Sequence, residues 1–257
     1  MDHNGVFVGG LRRWGGRLRF AGVATAAALS PSSYGGAARA VAVRQIYFTA
    51  WQILPWYLLF SALLSGVIMV IVIAVTRRYG LAHYALELML RVLVLELIPL
   101  LTALFVALRS GAAIGTEIAL MRVTGEIGER EAAGQDLLRG EYVPRIAAAA
   151  LSVVSLTVLS CMAAMLLAYV AMYGASPWGF DFYTRIVGQV FGIPTLAGFG
   201  LKCLLFGFAV AVMPISAGLE AARGEVKSAP VSVLGGMVRL FFLLGLIEVL
   251  ALAAKYI

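Results

Sequence analysis

The sequence predicts an all-α integral membrane protein whose chain crosses the bilayer five times. Of the 257 residues, 62% are hydrophobic and only 13% are charged, where a soluble domain would carry about a quarter charged residues. Mean hydropathy is +0.95. The charge-free run Trp56–Thr76 has 21 residues and Ile146–Tyr173 has 28; either spans a hydrocarbon core about 30 Å thick.

In chain order, residues 1–40 read as an Arg-rich cytoplasmic leader, amphipathic or partly disordered, with a plain flexible tail as the alternative for residues 1–35. Arg12-Arg13 ahead of Ala21–Leu29 faintly resembles a secretion signal, but the apolar stretch is short. Val41–Trp51 reads as a helix lying in the interface. The five spans follow at about 55–76, 86–120, 144–173, 194–219 and 230–256. Pro55, Pro144, Pro194 and Pro230 sit at span starts, where a missing N–H costs nothing. Pro99 and Pro214 fall inside spans and should kink them.

Basic residues orient the chain. Arg12, Arg13, Arg17, Arg19, Arg39 and Arg44, then Arg122, Arg130, Arg139 and Arg145, then Arg223 and Lys227 put 12 on one side. Arg77, Arg78, Arg185 and Lys255 put 4 on the other. The positive-inside rule places the N-terminus in the cytoplasm and the C-terminus outside.

The net charge of +7 is dispersed over these loops and the leader, which suits anionic lipid headgroups and not nucleic acid. Cys161 and Cys203 both fall within spans, excluding a disulfide framework or a Cys-based metal site. His3 and His83 form no ligand cluster, so no metal is expected, and the chain has no Gly-x-x-x-x-Gly-Lys-Ser/Thr phosphate loop.

Charged residues inside spans are the candidate functional groups. Glu87 and Arg91 are four apart and can pair on one helix face. Glu96 lies about 15 Å deep in span 2, beside Pro99, whose missing N–H frees the carbonyl of Leu95. It faces a cavity or serves as an interhelical hydrogen bond. Lys202 and Glu248, counted from opposite ends of antiparallel spans 4 and 5, both fall about 12 Å deep, level with Glu96. An ion pair there lowers the desolvation cost of each; it either locks helices or lines a lipid cavity. Arg109, Ala113 and Glu117 share one face of span 2, and Gly111 with Gly115 permits close helix approach. Beyond span 2, Arg122, Glu126 and Arg130 follow at four-residue spacing, with Met121, Val123 and Ile127 apolar, until Gly134 breaks the helix. Such an amphipathic helix suits docking in a partner's groove, or is simply a solvated loop helix.

These pieces form a linked series that resembles the MlaE/YrbE permease family over about residues 41–257. Val43-Arg44-Gln45-Ile46-Tyr47 is similar to the family's Val-Arg-Gln-Leu-Tyr, and Glu96-Leu97-Ile98-Pro99 to its Glu-Leu-Gly-Pro. Arg109-Ser110-Gly111-Ala112-Ala113 resembles Arg-x-Gly-Ser-Ala. Glu117-Ile118-Ala119-Leu120-Met121-Arg122-Val123-Thr124-Gly125-Glu126 resembles Glu-(Ile/Leu)-Gly-x-Met-(Arg/Lys)-x-Thr-Glu-Gln. Asp136, Arg139, Pro144 and Arg145 fall at the family's Asp-Pro-x-Arg and Pro-Arg, and Lys202 and Glu248 at a family lysine and acid. The sequence departs at Leu95, where the family has Arg, at Ile98, at 128–134, which replaces a Met-rich stretch, and at Ser228-Ala229-Pro230.

The resemblance implies a homodimeric permease of a lipid-transporting ABC system in the bacterial inner membrane. It implies a cytosolic ATPase subunit that binds the ATP and Mg, an MCE-type substrate-binding protein outside, and no cofactor in this chain. Residues 122–134 become a cytoplasmic coupling helix between helices 2 and 3, gripping the ATPase through Met121, Arg122, Val123, Thr124, Glu126, Ile127 and Arg130. Glu96, Pro99, Lys202 and Glu248 would belong to a lipid cavity. A membrane-embedded enzyme using Glu96 or Glu248 as acid or base, and a non-transporting scaffold, are the alternatives.

Overall fold

The computed structural model describes residues 54–174, 176–222, 224–225 and 227–256. The leader and the interfacial helix expected at 41–51 lie outside the described residues. Among the described residues every regular element is helical. Five helices are long and apolar enough to cross a membrane, as the sequence predicts: α1 (Leu54–Arg78), α2 (Ala82–Val123), α4 (Val143–Tyr173), α6 (Ile193–Gly218) and α7 (Ser228–Tyr256). Two shorter helices complete the set, α3 (Glu126–Ala132) and α5 (Phe180–Val190).

α2 runs for 42 residues, about twice what a bilayer requires. It is not uniform. Met89–Leu97 and Ala107–Gly111 are π-helical, and Pro99 opens the α-helical stretch Ile98–Val106. The change from π to α hydrogen-bond register falls at Pro99, which has no N–H to give. α6 stays helical through Pro214. The expected helix 122–134 is two pieces: α2 continues to Val123, Gly125 turns with φ of +86°, and α3 starts at Glu126. Only glycine takes that backbone conformation without strain.

The described residues pack as two compact units. One contains residues 54–106, 151–207 and 241–256. Its core joins Leu86, Met89, Leu90, Leu93 and Ile98 of α2 to Ala164 and Ala168 of α4 and to Tyr183, Ile186 and Val190 of α5. α1 buries a narrow stripe at four-residue spacing, Tyr57, Ser61, Ser65 and Met69. The Tyr57 hydroxyl shares a 2.6 Å hydrogen bond with Thr102 Oγ1, a polar link of the kind that holds helices together in lipid. Leu63, Val67 and Val70 of α1 remain open and are suited to acyl chains. α5 was not foreseen: its apolar face recurs at 183, 186 and 190, the period of an amphipathic helix. The Tyr183 hydroxyl donates to the Met165 carbonyl at 2.9 Å, and burial pushes its phenol above the ordinary tyrosine range.

The other unit contains 107–150 and 208–240, with Ile114, Ile118, Ile127, Leu137, Ile146 and Ile215 in its core. Gly115 and Gly218 let α2 and α6 touch backbone to backbone. A Cβ on Gly115 would lie 3.2 Å from the Pro214 carbonyl oxygen, and one on Gly218 only 2.6 Å from that of Gly115. The close approach expected at Gly115 is therefore made to Gly218 of α6. The Gly224 N–H donates to the Val123 carbonyl at 3.0 Å and closes the end of α2.

Gly218→Ala should accordingly destabilise the protein in detergent by about 1–3 kcal/mol, the range for overpacking a filled contact. Gly66→Ala, where a Cβ meets nothing within 4 Å, should leave thermal unfolding unchanged or slightly improved. Equal melting shifts for the two variants would contradict the backbone contact.

Candidate functional site

The most concentrated chemistry lies in the unit containing Glu96. The Lys202 ammonium on α6 has three N–H donors, and three oxygens surround it. It pairs with Glu96 Oε2 on α2 in a very short contact and lies 2.7 Å from Glu248 Oε2 on α7. It also lies 3.4 Å from the Leu95 carbonyl. The Leu95 carbonyl is not the one that Pro99 leaves open: in the π-helical register that ends here the Ile98 N–H donates to Leu93, so the proline's missing N–H falls to the Val94 carbonyl. The second Glu96 oxygen, Oε1, accepts from Lys255 Nζ at 2.6 Å. Glu248, Lys202, Glu96 and Lys255 thus form a line of alternating charge, formally neutral in sum. Each ion would suffer a penalty of several kcal/mol if buried alone; alternation removes most of it.

Both carboxylates reach the lysine expected from the depth count, so Lys202 bridges Glu96 and Glu248 instead of choosing one. Lys255 was not foreseen as a member. It stands in the last turn of α7, where a lysine ordinarily reads as an interfacial anchor.

A cavity of about 540 Å³ opens beside this line. Glu96, Lys202 and Lys255 form its polar wall, while Phe199, Leu201, Leu205, Ile247 and Leu250 supply apolar surface. The volume lies within the roughly 300–1,000 Å³ of small-molecule sites. Pro99 is buried within α2. Cys161 donates to the Val94 carbonyl at 3.4 Å, as a small structural hydrophobe with a weak donor.

The second unit holds a different network. Arg130 Nη2 of α3 meets Glu126 Oε1 at 2.5 Å and its Nη1 meets Glu141 Oε1 at 2.9 Å. The hydrogen bond to Glu141 pushes the Arg130 guanidinium further above its ordinary value, and Glu126 adds to it. Glu141 Oε2 lies 2.6 Å from Arg145 Nη1 of α4, and Arg145 Nη2 lies 2.8 Å from Glu117 Oε1 of α2. α3 is in this way strapped through charges to the ends of two spans. Met121 and Ile127 belong to the apolar core of this unit, and Val123 is buried with them. Burial within the unit is where the structure places them, and the turn at Gly125 takes Arg122 out of the periodic row with Glu126 and Arg130. Thr124, Glu129 and Glu131 are exposed, and Glu126 and Arg130 are half-buried. Arg109, Ala113 and Glu117 are exposed. The Glu87–Arg91 pair forms at 2.8 Å with both side chains open to solvent, a geometry worth little in stability.

Comparison with known proteins fits this arrangement. The family model described as Permease MlaE matches residues 42–254. A probable ABC transporter permease protein of Rickettsia prowazekii strain Madrid E is 26% identical over 188 residues, covering 71% of this chain and 70% of that protein. A probable ABC transporter permease protein of Rickettsia felis strain ATCC VR-1525 is similar to the same extent, 26% over 188 residues.

Truncating Lys202 should leave Glu248 uncompensated in a low-dielectric site. We expect Lys202→Ala to cost on the order of 3–5 kcal/mol of stability, and Lys202→Ala with Glu248→Ala to cost less than Lys202→Ala alone. Thermal unfolding of the four members of the cycle in detergent measures the coupling; strict additivity would mean that the contact carries no energy.

Proposed function

We propose that this chain, which belongs to the MlaE permease family and is a multi-pass transporter permease subunit, moves phospholipid or a related lipid between the inner membrane and an outer envelope layer. The observation that carries the lipid assignment is the cavity, lined by both apolar and charged side chains. An amphiphile satisfies both kinds of surface, with acyl chains on Leu201, Leu205 and Leu250 and a headgroup near the lysines. The chain itself makes and breaks no covalent bonds. Both carboxylates of the cluster are engaged by ammonium groups at ion-pair distance, an arrangement for binding and not for proton transfer.

Energy then comes from a separate cytosolic ATPase that binds ATP and Mg, coupled through α3. The straps Arg130–Glu141–Arg145–Glu117 support this reading, because they pass a push on α3 to both α2 and α4. The exposed charges Glu129 and Glu131 are the surface of α3 suited to a partner's groove. The orientation that follows from the basic residues puts α3 in the cytoplasm and the Lys202 layer in the outer half of the bilayer. There an MCE-type protein would receive or deliver the lipid. Two copies of the chain enclosing the cavity complete the transporter.

The test is ATP-dependent transfer. The permease co-purified with its ATPase and reconstituted in vesicles should move labelled phospholipid to an acceptor only when ATP is hydrolysed. Glu129→Lys with Glu131→Lys should release the ATPase and abolish transfer, while the permease keeps its melting temperature. Transfer that proceeds unchanged without ATP, or in the variant, would overturn the assignment.

A further inference from the structure

The four charged groups of the cluster are not equivalent. Lys202 has a side chain only 4% exposed, ion-paired with Glu96 and Glu248 and bonded to the Leu95 carbonyl. It is too buried to reach out to a ligand. Glu96 has one oxygen on each lysine. Glu248 is not part of the cavity wall. Lys255 differs: its side chain is 23% exposed, it lines the cavity, and it ends a flexible stem in the last turn of α7.

We propose that Lys255 is the headgroup-binding residue of the cavity, and that it exchanges its bond to Glu96 for one to the phosphate of a phospholipid. This rests on the lipid-transport reading and names the group that recognises the lipid. The exchange leaves Glu96 paired. When Lys255 swings to a phosphate, Glu96 keeps Lys202 on its other oxygen, and Lys202 keeps all of its partners. Loss of Lys202 itself would leave Glu248 without its ion-pair partner and Glu96 with Lys255 alone, so that lysine is structural to the cluster. The accessible charged donor on the wall is then an ammonium, which selects an anionic group. A phosphate diester supplies the anion, and the apolar wall takes the chains that a free phosphate lacks.

A cation is useful in this place because residue 95 is leucine, so α2 presents Glu96 with no basic neighbour in sequence. The second positive charge at Glu96 arrives from α7 instead. Its position at a helix end lets the side chain move without disturbing the helix.

Native mass spectrometry of the full chain in detergent provides the test, with dioleoylphosphatidylglycerol, dioleoylglycerol and inorganic phosphate as probes. The wild-type chain should prefer phosphatidylglycerol over the neutral diacylglycerol by about tenfold, the contribution of one charge-assisted hydrogen bond, and inorganic phosphate alone should not compete. Lys255→Ala should bind both lipids alike, with its melting temperature within a few degrees of the wild type, and Lys255→Arg should restore the preference. If Lys255→Ala keeps the preference, Lys255 is not the recognition group, although lipid binding by the cavity stands. If it loses both lipids together, its role is structural and the proposal fails. Competition by inorganic phosphate would assign the site to the free anion. A wild-type chain that binds neither lipid would overturn the lipid-transport reading along with this one.

Discussion

A lysine ammonium cannot sit within a bilayer-spanning helix unless its charge is answered, and Lys202 is answered by Glu96 from α2, Glu248 from α7 and the carbonyl of Leu95. Three helices are thereby drawn to one point. The demand propagates along the chain. The π-helical run Met89–Leu97 ends where Pro99, with no N–H to give, enters the α-helical stretch. Glu96, with a second oxygen to satisfy, recruits Lys255. A neutral line of four charges results, and a cavity forms against it because the surrounding side chains of α6 and α7 are apolar.

Such a cluster is a poor way to stabilise a fold. Replacing buried ion pairs with apolar groups of similar volume is often neutral or stabilising, and α1 is held by the Tyr57–Thr102 hydrogen bond and the burial of Tyr57, Ser61, Ser65 and Met69. The charges therefore point to binding. The other unit uses charge differently: Arg130, Glu141, Arg145 and Glu117 make ion pairs near helix ends, where the partial exposure of Glu117 and Glu126 reduces their energetic weight. Their value is connection, since they tie the short helix α3 to α2 and α4.

Much of this was legible in the sequence, for reasons that differ between elements. The five spans were readable because hydrophobic length is a strong constraint, and the prolines at 55, 144, 194 and 230 marked their starts. Lys202, Glu96 and Glu248 could be placed at one depth because helix rise converts residue count to distance. The family resemblance carried by Glu96–Pro99 and by residues 109–126 is borne out by the match over residues 42–254. Lys255 escaped because a lysine at the end of a span has an ordinary use as an interfacial anchor. The break at Gly125 escaped because the charge row 122, 126, 130 is continuous on paper, and only the backbone conformation of one glycine interrupts it. Gly218 escaped because the partner of Gly115 lies more than a hundred residues away in the chain. α5 was passed over because eleven amphipathic residues make a weak signal beside long apolar spans.

The central claim is that the buried charges exist for lipid handling and not for stability. The most direct measurement uses one variant that neutralises the core of the cluster without opening a cavity: Lys202→Met, Glu96→Gln and Glu248→Gln together. Thermal unfolding and ATP-driven phospholipid transfer are measured on the same preparation. The account predicts a folded protein melting within a few degrees of the wild type that transfers no lipid. Transfer at the wild-type rate by this variant would contradict it.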